Sequence, residues 1–166
     1  TWTRTPSRTP TPTRTPTNTR TPTGGPSPTS TPVTLTVYFT DDIRFIQGTP
    51  PYESPVTRWV RDPVSLPEAV LDAFFLGPSV DEQAQGLRLV TSGFTGYSQL
   101  VIQGGVARLY LTGSCASTGA AYTVAGPLVT NLRQFPEIQW VKIYDENGNT
   151  GNPDGEGNSI PACLEP

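Results

Sequence analysis

The chain has 166 residues, 19 Pro and 16 Gly among them, with 2 Cys, no His and a formal charge of −3. No run of 18 apolar residues occurs, so no helical membrane span is written in it; the lack of His excludes imidazole zinc ligands and the Ser–His and Cys–His nucleophile pairs. Charge is uneven: Arg4, Arg8, Arg14 and Arg20 precede residue 33 with no acid, whereas residues 33–166 hold 7 basic and 14 acidic residues, a balance that argues against nucleic acid as a partner.

From residue 1 to 23 every odd position is Thr, except Ser7. Trp2 is the only large apolar residue before Val33, so this stretch cannot build a core. Its prolines block helix and leave polyproline II or extended strand, a reach of about 100 Å over residues 1–32. In a strand, alternation places the hydroxyls on one face and the Arg and Pro side chains on the other. The expectation is an extended Thr/Pro-rich stalk at 1–32, O-glycosylated at Thr3, Thr5, Ser7, Thr9, Thr11, Thr13, Thr15, Thr17, Thr19, Thr21 and Thr23. The alternative is an unmodified spacer. There is no Asn-x-Ser/Thr sequon, so any glycan is O-linked.

Residues 33–166 read as one domain. Alternation in VTLTVYF (33–39) predicts a strand, DDIRFIQG a loop, and PVTRWVRD (55–62) a second strand. SLPEAVLDAFFLGP (65–78) predicts a helix: Ser65 and Glu68 have capping-box spacing, Pro67 sits in the first turn, and Gly77-Pro78 ends it. LRLVTSG, YSQLVIQGG and VARLYLTG predict three strands, the last two joined by a turn at Gly104-Gly105. A second helix is predicted over 124–135 and a closing strand over 137–145. The fold class is α+β: one mixed sheet with two helices on one face.

Several blocks in order, VTLTVYFTDD, PEAVLDAFFLGP followed by GLRLV, VARLYLTG, and LVTNLRQFPEIQWVKIYDENG, resemble the sporulation and spore germination domain known as GerMN. The similarity runs over most of residues 33–150 and leaves out the extension after Asn149 and the Cys pair. It implies a non-catalytic α+β module on an exported bacterial envelope protein or lipoprotein, with no catalytic residues to carry over and no ligand specified. Two functions follow: a structural subunit that self-associates into a surface filament or layer, or an envelope-anchored binding module lifted on a passive spacer.

Three residue sets remain. Cys115 and Cys163 pair as a disulfide in an oxidising compartment, closing a loop of about 49 residues; the alternative is two unpaired buried thiols. Asp145, Asn147, Asn149 and Glu156 fall at positions 1, 3, 5 and 12 of a calcium-loop template, although Thr150 stands where that template has Gly; the alternative is a Gly/Asn-rich turn. Asp41-Asp42, the obvious carboxylate pair, reads as a polar turn after the first strand.

Overall fold

The computed structural model describes residues 31–117 and 119–166. The expectations placed on residues 1–30, the stalk and its hydroxyl positions, lie outside the described residues.

The class is α+β, with the strands divided between two three-stranded sheets. In the first, β1 (Pro32–Asp41) lies between β2 (Glu53–Arg61) and the two-residue β3 (Leu87–Arg88), all antiparallel. In the second, β5 (Val106–Gly113) pairs antiparallel with β4 (Phe94–Gln103) and parallel with β6 (Trp140–Tyr144). The β4–β5 turn is Gly104-Gly105, with φ of 58° and 79°, the left-handed pair a two-residue hairpin needs.

Helix α2 (Leu66–Leu76) packs on β1 and β4; α4 (Ala125–Arg133) packs on β1, β6 and α2. The two helices therefore close one core between both sheets, where Val37, Phe39, Leu71, Phe74, Leu109, Leu128, Leu132, Val141 and Ile143 are fully buried. Phe39 and Phe74 stack at 5.7 Å between ring centres.

Two short helices depart from the sequence reading. Residues Asp42–Ile46, expected as loop, form α1, capped by the Asp41 carboxylate, which accepts from the N–H groups of Ile43 and Arg44. Helix α3 (Val80–Ala84) starts with a full capping box between Ser79 and Glu82. Neither buries a residue, so neither shows the 3.6-residue apolar period that betrays a longer helix. Side chains and a loop cover the free edges of β1 and β6. The Tyr38 N–H of β1 donates to Asn131 Oδ1, while Asn131 Nδ2 donates to the carbonyls of Tyr38 and Pro127, and Gln134 Nε2 to that of Thr36. An α4 amide thus stands in for a missing neighbour strand. On β6, Ile143 N–H donates to Ser159 O, Ser159 N–H to Val141 O, and Val141 N–H to Asn158 Oδ1.

Candidate functional site

The Cys115–Cys163 disulfide is formed, with Cα atoms 6.3 Å apart. It fastens the C-terminal turn to the end of β5. There the Ser117 hydroxyl donates to the Cys163 carbonyl, the Thr123 hydroxyl donates to the Leu164 carbonyl, and Leu164 enters the core at 1 % exposure.

Asp145, Asn147 and Asn149 come together in one turn. The Asp145 carboxylate accepts from the N–H groups of Asn147 (2.9 Å) and Asn149 (2.8 Å) and from the Asn149 side-chain amide (3.3 Å). Burial pushes the Asp145 carboxyl up, but these donors outweigh it and hold the group below the usual carboxylate range. No hydrogen bond among the described residues joins Glu156 to this turn. Among the described residues no group of three or more Cys, Asp or Glu side chains is placed to hold a metal ion. The loop wraps the ammonium of Lys142, which is 1 % exposed and donates to the carbonyls of Asn152 and Gly155, both at 2.7 Å. Composition gave no sign of this: Lys142 sits on the far side of β6 from Val141 and Ile143, and only the fold of residues 145–160 brings carbonyls over it.

Asp41 and Asp42 act in the frame. Asp41 caps α1 and accepts from the Ser54 hydroxyl at 2.7 Å, and Asp42 pairs with Arg88 at 3.1 Å. Burial raises the Asp41 carboxyl, and the bonds from Ser54, Arg44 and Ile43 more than reverse that.

A concavity runs between α2 and the open side of β4. Two hollows of about 400 Å³ each share Asp72 and Tyr97 as walls. One is lined further by Pro63, Val64 and Glu68, the other by Phe75, Leu76 and Gly96. The Tyr97 hydroxyl crosses from β4 to donate to Asp72 Oδ1 at 2.8 Å, and its ring stacks on Phe75 at 6.2 Å. Burial, and then Asp72, push the Tyr97 hydroxyl far up, so it stays a protonated donor. Val64 (101 % exposed) and Leu76 (87 %) stand open at the two ends. Glu68 and Asp72 lie one helical turn apart, and neither has an ion-pair partner among the described residues. Residues of α2 and β4 that are 22 to 29 apart in sequence meet here, so no local pattern marks the groove. It offers two carboxylates without an ion-pair partner among the described residues, two aromatic rings, and the edge of β4, which among the described residues pairs with β5 alone.

These features define a small α+β module of two three-stranded sheets with an open groove beside β4. Residues 36–151 match the family described as Germane: Sporulation and spore germination, and the chain belongs to that family. In structure it is similar to the tandem GerMN domains of the sporulation protein GerM from Bacillus subtilis, with a TM-score of 0.53 at 20 % identity. That likeness, one of fold, covers 86 % of this chain and 49 % of that one, so the chain spans about half the length of the tandem structure. No curated protein sequence matches it. No helix among the described residues is long and apolar enough to cross a membrane.

Proposed function

We propose that this is a non-catalytic, exported bacterial structural protein: a GerMN head, residues 33–166, on an O-glycosylated Thr/Pro stalk, residues 1–32, whose heads associate into a surface filament or layer. The observation that supports association is the outer face of β1 and β2. There Trp59, 69 % exposed, stands across from Thr34 on a nine-residue strand whose other edge no strand among the described residues covers. An exposed indole beside an open edge is what a second sheet can bury and extend. Family membership supports an assembly or binding role over chemistry.

Electron microscopy of the full chain tests the reading. Filaments or sheets are expected, and Trp59→Lys, which places a charge on that face, abolishes them without lowering the melting temperature. An intact mass above that of the bare polypeptide, with sugar on the stalk Thr residues, checks the glycosylation. A wild-type protein that stays monomeric throughout sinks association and leaves the envelope-anchored binding module with the stalk as spacer.

A further inference from the structure

We propose that β2 pairs antiparallel with β2 of a second copy of this chain, about a two-fold axis through Thr57, so that Glu53 of each copy faces Arg61 of the other. The inference rests on the reading that heads associate, and adds the strand and the register.

Backbone direction is the first argument. Asn131 accepts from the Tyr38 N–H and donates to the Tyr38 carbonyl, while the Asp41 N–H donates to the Tyr52 carbonyl. Odd-numbered residues of β1 therefore bond to β2, and even-numbered ones face away from it. In an antiparallel ladder, the β2 residues opposite those even positions turn their backbone groups to the free edge: Glu53, Pro55, Thr57, Trp59 and Arg61. Pro55 has no N–H; among the described residues no group accepts from the other four. Arg58 donates to the Thr57 carbonyl at 3.2 Å, which keeps a second lone pair.

Continuity is the second. Strand β2 runs nine residues in unbroken register with β1. Strand β4, the comparable edge of the other sheet, has register shifts at Phe94/Gly96 and Tyr97/Gln99, and such bulges turn an edge away from pairing.

Self-complementarity is the third. Thr57 is the midpoint of β2. An axis there sets Thr57 against Thr57, Pro55 against Trp59 and Glu53 against Arg61 on the outer face. Neither Glu53 nor Arg61 has an ion-pair partner among the described residues, and the Tyr122 hydroxyl occupies only one Glu53 oxygen. The proline ring gives the exposed indole an apolar surface to lie on. Moving the axis to Arg58 sets Arg58 against Arg58, and like charges directly opposite repel. Moving it to Trp59 sets Pro55 against Pro63 and breaks the Glu53–Arg61 match. The contact is isologous and closes at two copies, so a filament or layer grows through a second, different contact.

Cross-linking of the full chain under mild oxidation reads the register. Thr57→Cys puts a thiol on the axis, where facing Cα atoms lie about 5.5 Å apart, within disulfide reach. A covalent dimer is expected, with Cys115–Cys163 intact by peptide mapping. Arg61→Cys is expected to give none, because the two positions 61 lie about 26 Å apart at opposite ends of the paired strands. In sedimentation at low salt, Arg61→Glu is expected to weaken the dimer about tenfold, and Glu53→Lys/Arg61→Glu, which exchanges the charges, to restore it. Should the exchanged variant not fold, the cross-links decide. Dimers or filaments without the Thr57→Cys link, or an Arg61→Cys link formed as readily, overturn this pairing and leave association standing. A chain that stays monomeric and unlinked overturns both.

Discussion

Arg58 and Glu82 form a two-pronged ion pair, Nη1 to Oε1 and Nη2 to Oε2, each at 2.6 Å. It ties edge strand β2 to the short helix α3, and the same guanidinium lies 5.6 Å from the centre of the buried Phe39 ring. The Ser79 N–H also donates to Glu82, so one carboxylate both completes a helix cap and anchors a strand.

Acid sensitivity follows from that pair. The bonds from Arg58, and after them the Ser79 N–H, hold the Glu82 carboxyl at about 2, against an ordinary 4.5. A carboxyl depressed in the folded state contributes stability that is complete above its unfolded value and lost as pH falls through its folded one. Stability measured by denaturant is expected to drop between about pH 5 and pH 2. Glu82→Gln costs about 1–2 kcal/mol near neutrality and makes that decline shallower. Asp41 and Asp145, also depressed, keep some of the slope. An unaltered slope in Glu82→Gln disproves the assignment.

Lys142 decides between the two accounts of the 145–156 loop. With its buried ammonium on two carbonyls, Lys142→Met is expected to lower stability by about 1–3 kcal/mol, because the two bonds that hold the loop at Asn152 and Gly155 are lost. A chelator is then expected to leave the melting temperature unchanged. A chelator-induced fall, reproduced by Glu156→Ala, speaks instead for calcium held by Asp145, Asn147, Asn149 and Glu156.

Reduction of Cys115–Cys163 releases a loop of 48 residues' separation. In the chain-entropy picture this costs about 4 kcal/mol. Melting with and without reductant, alongside Cys115→Ser/Cys163→Ser, is expected to show the same large drop in both. A reduced protein that melts with the oxidised one contradicts it.

Asn131 is fully buried and carries the cover of the β1 edge. Asn131→Ala strips partners from both backbone groups of Tyr38 and from the Pro127 carbonyl. A loss of about 2–4 kcal/mol is expected, with faster amide exchange at Tyr38. Asn131→Asp keeps an acceptor for the Tyr38 N–H but sets a buried carboxylate against the Tyr38 and Pro127 carbonyls, and is expected to cost at least as much. If Asn131→Ala exchanges at Tyr38 as slowly as wild type, the edge is protected by something else.

Much of the fold was legible in the chain because the signals are local. Val33, Leu35, Val37 and Phe39 alternate and point to the core, and VARLYL does the same in β5. Ser65, Pro67 and Gly77 punctuate α2 at both ends, and capping chemistry needs only three or four neighbouring residues. The blocks that carry the family resemblance lie in these same core elements. Tertiary structure alone decided the rest. Splitting the strands into two sheets depends on α2 and α4 wedging between them, a matter of volume that no period reports. The Asn131 amide became a strand substitute, the Lys142 ammonium became the centre of a loop, and Tyr97 met Asp72, each through contacts across 10 to 93 positions. Sequence periodicity tells which face of an element is buried; which polar group it meets there is set by how the elements dock.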